Sequence, residues 1–82
     1  MKVYNNNLER ILTEFAITQV ELSDASDLSI NTISRAYRRI GNLAPESKNS
    51  VTHGINKCLK ERKIKKSFSV DDIFSLAKFG KI

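Results

Sequence analysis

Apolar positions recur at helical spacing along almost the whole chain, and polar capping residues mark where each repeat begins. Leu8, Ile11, Leu12 and Phe15 stand at i, i+3, i+4 and i+7, the stripe of a helix with one buried face. This predicts a first helix from about Asn7 to Phe15, with Asn6 capping its start and Glu9 reaching back. A second helix is expected from Thr18 to about Ser26. Thr18-Gln19-Val20-Glu21 has the form of a capping box. In that motif the Thr hydroxyl accepts from the third helical N–H and the Glu carboxylate accepts from the cap's own N–H. Ile17 and Leu22 are spaced to close a hydrophobic staple across it. Asp27 follows, a residue type that tolerates a left-handed turn better than most.

The same signals recur downstream. Ser29 caps a third helix that runs to about Arg39, and Leu28 with Ile33 repeats the staple spacing. Gly41, Asn42 and Pro45 then break the pattern. A fourth helix is expected from about Ser47 to Arg62, with Val51, Ile55, Cys58 and Leu59 facing inward. Its basic last turn suits the negative end of the helix dipole, and residues 63–66 form a basic loop. A fifth helix starts at Ser69, with Asp72 at its third helical position and Phe68 with Ile73 as a third staple. Ile73, Leu76 and Ala77 are expected inward, flanked by Phe74 and Phe79. Strand-like alternation is confined to a short hint at Ser67-Phe68-Ser69-Val70. Five short helices with short links predict a compact all-α domain spanning residues 1–82.

Composition narrows the class. The chain has 82 residues, enough for one domain and one modest core. No apolar run approaches the ~20 residues of a membrane span, and the first residues contain no apolar signal region. A cytoplasmic protein is therefore expected, and the initial Met is read as the start of a complete chain. Cys58 is the one cysteine and His53 the one histidine, so neither a disulfide nor a Cys/His metal site is expected. No nucleophile–His arrangement, acid–base pair or Gly-rich phosphate loop is visible. Ser47, Ser50 and His53 all fall on an ordinary helix. The expectation is a non-enzyme, with no catalytic residues, no metal, no cofactor and no small-molecule ligand.

Charge changes the picture more than composition does. Residues 1–28 carry two Lys or Arg against five Asp or Glu, whereas residues 29–66 carry ten against two. Such asymmetry is the electrostatic footprint of a polyanion binder. On charge alone, a solvated basic face accounts for it equally well.

The stretch from Thr18 to Arg39 sharpens this reading. Two short capped helices joined by about three residues have the form of a helix-turn-helix, which projects its second helix into a DNA major groove. On that second helix Ile33, Ala36, Tyr37 and Ile40 form an apolar stripe. Asn31, Ser34, Arg35 and Arg38 form the opposite one. Asn pairs well with adenine and Arg with guanine, each through two hydrogen bonds, while Ser serves several base edges. No acidic residue occurs between Leu28 and Ala44, so nothing there repels phosphate. Solvated helix faces usually mix signs.

With these residues in view, the chain resembles the phage Cro/repressor helix-turn-helix family. The matching residues are Thr18-Gln19, Leu22, Ser29 and the run Thr32-Ile33-Ser34-Arg35. Pro45 before the fourth helix and the closing Ser69-Val70-Asp71-Asp72-Ile73-Phe74 also match, so the resemblance spans roughly residues 8–74. It implies a five-helix, lambda-repressor-like domain of phage or bacterial type whose third helix lies in the major groove. By position, Gln19 would clamp a phosphate. Ile30, Asn31, Ser34 and Arg35 would face bases, with Ile30 suited to a thymine methyl. Arg38, Arg39 and Asn42 would touch the backbone. Ser29 would mainly cap the helix and Thr32 would meet a phosphate. The chain departs from the family pattern at four places. Ser23 stands where a small residue is usual, Ser26 where an apolar one is, and Asp27 where the turn usually has Gly. The basic insert around Lys63 to Ser67 lengthens the link between the last two helices.

The function implied is a sequence-specific transcriptional regulator, Cro-like or phage-type, that acts by occupying double-stranded operator DNA. A homodimer would engage two half-sites, with Phe74, Phe79 and Ile82 available for the dimer contact. The alternative is a protein-interaction module, such as an antitoxin or anti-repressor, that uses the same fold as a scaffold. The cluster Lys57, Lys60, Arg62, Lys63, Lys65 and Lys66 is read as a solvated face, and Tyr4 as a packing residue.

Overall fold

The helices begin where a side chain or a proline can stand in for missing backbone partners. The computed structural model describes residues 6–74. Among these it contains five α-helices: α1 (Leu8–Glu14), α2 (Gln19–Ser26), α3 (Ile30–Tyr37), α4 (Pro45–Glu61) and α5 (Val70–Phe74). The α2 capping box is complete: Glu21 N donates to Thr18 Oγ1 at 3.0 Å and Thr18 N to Glu21 Oε1 at 3.3 Å. Ser29 Oγ accepts from Thr32 N at 3.2 Å to start α3. Ser69 and Asp72 form a second reciprocal pair, at 3.2 and 2.9 Å. That pair turns the strand-like hint at 67–70 into a loop followed by a helix, with Val70 opening α5. Pro45 likewise opens α4, earlier than the expected Ser47. A proline fits the first helical position because its missing N–H has no intrahelical partner there. At α1 the cap position falls on Asn7, one residue later than expected and without a side-chain cap bond, while Asn6 Oδ1 accepts from Leu8 N at 2.9 Å. Glu9 does not return to the cap and instead faces Arg39 across 3.6 Å.

Three helices end in one way. Ala16, Arg39 and Lys63 take left-handed backbone conformations, with φ of 55°, 60° and 59°. Each is followed by an isoleucine whose N–H bonds back to the helix: Ile17 to Leu12 O, Ile40 to Arg35 O and Ile64 to Leu59 O, at 2.9–3.0 Å. This is the Schellman arrangement, which closes orphan carbonyls and often sets an apolar contact beside them. After α1 and α4 the isoleucine has a leucine to meet; Ile17 is buried and Ile64 half-buried. After α3 the facing residue is Arg35, and Ile40 stays 40% exposed. Ile40 therefore does not continue the apolar stripe of α3, contrary to the periodicity. The helix stops at Tyr37 rather than near Arg39, and the left-handed Arg39 turns Ile40 out of register.

The core gathers Leu8, Ile11 and Leu12 from α1, Leu22 from α2, Ile33 and Ala36 from α3, and Ile73 from α5 around the inner face of α4. That face consists of Val51, Ile55, Cys58 and Leu59, all buried as the spacing predicts. The tightest seam lies between α2 and α4. A Cβ added to Gly54 would stand 2.9 Å from Ser26 Cβ and 3.0 Å from both Ser26 N and Leu22 Cδ1. Ser26 is buried without being apolar because α4 approaches too closely there for a larger side chain. Asparagines join the ends. Asn6 Nδ2 donates to Ala36 O at 3.0 Å, and Asn7 Nδ2 donates to Asp72 O at 3.0 Å. The start of α1 is thereby stitched to the end of α3 and to α5. Leu76, Ala77, Phe79, Ile82 and Tyr4 lie outside the described residues. No helix among the described residues is long and apolar enough to cross a membrane.

Candidate nucleic-acid interface

Three residues, Asp27, Leu28 and Ser29, separate α2 from α3. Asp27 adopts φ 62° and ψ 26°, the left-handed conformation that glycine most easily supplies. Asp is among the few other residue types that visit it. The turn is pinned by Ser23, whose hydroxyl donates to Leu28 O at 2.6 Å. Ser23 is thus more than a small residue at a crowded place. Leu28 is half-buried against the core and Ser29 caps α3, so each turn residue has a defined task.

Two side chains set the rotation of α3. Ile33 and Ala36 are buried, with 0% and 1% exposure, and Tyr37 is half-buried beside them. The opposite side carries Asn31, Arg35 and Arg38, all exposed, with Ser34 half-buried at its edge. Ile30 opens the helix at 41% exposure. Thr32 is half-buried, and its Oγ1 lies 2.9 Å from Ser29 Oγ, so the two hydroxyls share one hydrogen bond at the cap. Arg35 and Arg38 form no ion pair among the described residues.

Beyond α3 the chain folds back along Arg35. A Cβ on Gly41 would lie 3.2 Å from Arg35 Nε and 3.3 Å from Arg35 Cβ. Glycine here leaves the guanidinium stem room to lie across the loop. Thr32, Arg35, Gly41, Asn42 and Ser47 line a cleft of about 260 Å³ between α3 and the start of α4. The structure thereby brings three expected site residues together, Thr32, Arg35 and Asn42. Gln19, half-buried, is the first residue of α2, at the opposite end of that helix from the turn.

Two arginines are occupied elsewhere. Arg39 is ion-paired with Glu9 of α1 at 3.6 Å, which ties the end of α3 to α1. Arg62 Nη2 donates to Glu21 Oε1 at 2.8 Å and to Ala16 O at 3.2 Å. It locks the end of α4 to the start of α2 and leaves the lysine cluster around it. The Arg62 hydrogen bond, helped by the Thr18 N–H, holds the Glu21 carboxyl below the usual glutamate range. Burial pushes the neighbouring Cys58 thiol up, so it stays protonated at neutral pH. Both arginine pairs join residues about 30 to 40 positions apart, a separation that no local pattern reports. Among the described residues no cluster of His, Cys, Asp and Glu is placed to hold a metal ion.

Comparison with known proteins finds no family model, no curated protein and no solved structure that matches the chain.

Proposed function

We propose that the protein is a sequence-specific DNA-binding regulator in which α2 and α3 act as a lambda-repressor-like helix-turn-helix. One observation carries the reading. The outward side of α3 presents Asn31, Arg35 and Arg38, exposed and without ion pairs among the described residues, on a helix anchored from behind by Ile33 and Ala36. An α-helix with its side chains is about 10–12 Å across, which suits a major groove about 12 Å wide.

The roles follow from chemistry and position. Asn31 and Arg35 lie one turn apart, so they face neighbouring base pairs. Asn31 offers a donor and an acceptor to adenine, and Arg35 offers its fork to guanine. Ile30 meets a thymine methyl and Ser34 a base edge. Arg38 and Asn42 contact the backbone, Gln19 and Thr32 hold phosphates, and Ser29 keeps the cap in place. Arg39 reaches a phosphate only by exchanging Glu9 for it. A pair of copies would engage half-sites about one helical turn apart. Occupancy of an operator then excludes other proteins from it, which is repression by steric exclusion.

The decisive experiment selects bound sites from a random duplex library at two salt concentrations. An enriched, pseudo-palindromic motif is expected. Salt-sensitive binding without enrichment would remove sequence reading from the proposal. A second reading, a protein-interaction module, draws on Val20, which is apolar and 63% exposed on α2. Partner binding through such a surface would change little with salt, whereas DNA binding falls steeply because counterions are released.

A further inference from the structure

The lysines that follow α4 form a concave surface for which the α3 reading has no use. Lys60, Lys63, Lys65 and Lys66 line a depression of about 540 Å³, together with Asn56 and Ile64. The surface is built on fixed backbone. The left-handed Lys63 closes α4 by donating to Lys60 O at 3.0 Å, and Ile64 N donates to Leu59 O at 2.9 Å. Asn56 holds both backbone groups of Phe68, with Nδ2 donating to its O at 2.9 Å and Oδ1 accepting from its N at 2.8 Å. Lys66 Nζ lies 5.4 Å from the Phe68 ring centre and 6.0 Å from that of Phe15, within cation–π range. None of the four lysines forms an ion pair among the described residues. Like charges gathered in one concavity repel one another, and a multivalent anion relieves that repulsion.

Two contacts lead from the depression toward the helix pair. Lys66 sits over Phe15 at the end of α1, and Arg62, next to Lys63 in the chain, bonds Ala16 O and Glu21 in the first turn of α2. Gln19 is the first residue of that helix. When such a pair reads DNA, the helix before the reading helix crosses the phosphate backbone. We propose that Lys60, Lys63, Lys65 and Lys66 bind the phosphate backbone of duplex DNA and extend the contact at the start of α2 beyond the segment read by α3. The proposal rests on the DNA-binding reading of α2 and α3. It assigns to the lengthened α4–α5 link a task that a merely solvated face lacks.

The test compares the 82-residue chain with its K60Q/K63Q/K65Q variant on a 30-base-pair duplex of random sequence, from 50 to 200 mM NaCl. All three lysines are exposed, so the variant keeps its fold, and a thermal melt checks this. Lys66 is kept to preserve its ring contacts. If each lysine neutralises one phosphate, the logarithmic salt slope becomes shallower by about 2.7, so the wild-type chain loses about 40-fold more affinity than the variant over that range. Parallel salt curves would overturn the proposal. Parallel curves with lost binding to a poly-glutamate peptide would assign the surface to acidic protein segments instead. Arg35→Ala separates this from the parent reading, since it alters preference between a selected and a random site while the lysine variant leaves that ratio unchanged. If the wild-type chain prefers no sequence, base reading by α3 fails and the slopes still decide the lysine surface. A wild-type chain that binds no duplex overturns both.

Discussion

The helix α2 has two neighbours, and its junctions with them are built in opposite ways. Against α4 it forms a close seam, with Ser26 on Gly54 and the Arg62–Glu21 pair at the far end. Toward α3 it ends in the left-handed Asp27 and a single hydroxyl bond from Ser23 to Leu28. Beyond that turn, α3 gives only Ile33 and Ala36 to the interior as fully buried side chains. The seam makes the scaffold, and little in it can change size. The α3 side buries two residues, packs Tyr37 beside them, and leaves Asn31, Arg35 and Arg38 outward, where substitutions should change recognition and leave folding alone.

The largest effect tests this division within one helix. Ile33→Ala should cost roughly 2–5 kcal/mol of stability, because a fully buried isoleucine leaves a cavity behind. Arg35→Ala should change stability by less than about 0.5 kcal/mol, as exposed positions usually do. On a selected DNA site the same change should cost roughly 1–3 kcal/mol and relax specificity there. Chemical denaturation and a binding titration on both variants give the comparison. If Arg35→Ala destabilised the chain as strongly as Ile33→Ala, the faces of α3 would be reversed.

The seam itself is probed by Gly54→Ala. Helix propensity alone favours alanine by about 1 kcal/mol. The new Cβ would stand 2.9 Å from Ser26 Cβ and 3.0 Å from a backbone nitrogen, so α2 must shift. Overpacking of this kind typically costs about 1–3 kcal/mol, and a net loss of stability is expected. Ser26→Gly removes the nearer obstacle, so the double variant should recover about 1 kcal/mol relative to the sum of the singles. Additive singles would mean that the helices separate freely and that the seam is no constraint.

These cases also divide what was legible in the chain from what was not. The capping box at Thr18 to Glu21, the Ser29 cap and the α4 stripe all depend on residues within one or two turns, and periodicity reports them. The outward placement of Asn31, Arg35 and Arg38 follows from the same rule. Ile40 failed because the rule assumes that the helix continues, and α3 ends in a left-handed arginine that sequence does not flag as glycine would. Arg39 entered the expected DNA contacts through the family resemblance, and its partner Glu9, 30 positions earlier, lies outside any local pattern. Ser26 reads as a missing apolar residue, and only the close approach of Gly54 on α4 explains it. The lysine depression needs Asn56 to hold Phe68, a bond across 12 positions.

A smaller effect is expected at the turn. Asp27→Gly relieves a left-handed conformation that costs an L-residue roughly 1–2 kcal/mol, somewhat less for Asp. Glycine also loses more chain freedom on folding, which offsets part of the gain. The melting temperature should rise modestly, with DNA affinity unchanged. A fall would show that the Asp27 carboxylate, and not its backbone alone, supports the turn.

The smallest effect belongs to the far end of the seam. Glu21 is held below the ordinary glutamate range by its hydrogen bond from Arg62. A carboxyl depressed on folding adds stability that is fully present above its unfolded pKa and is lost as pH falls through the folded one. The Glu21 and Arg62 side chains are 40% and 28% exposed, so solvent and salt weaken the pair. Glu21→Gln isolates it, because glutamine can still complete the capping box with Thr18 while losing the charge. The wild-type chain should exceed this variant in stability at pH 7 and converge with it as the pH falls below the glutamate range. Added salt should narrow the gap at pH 7. A gap that persisted undiminished in acid would trace it to the capping box, and the seam would then be held at that end by α2 alone.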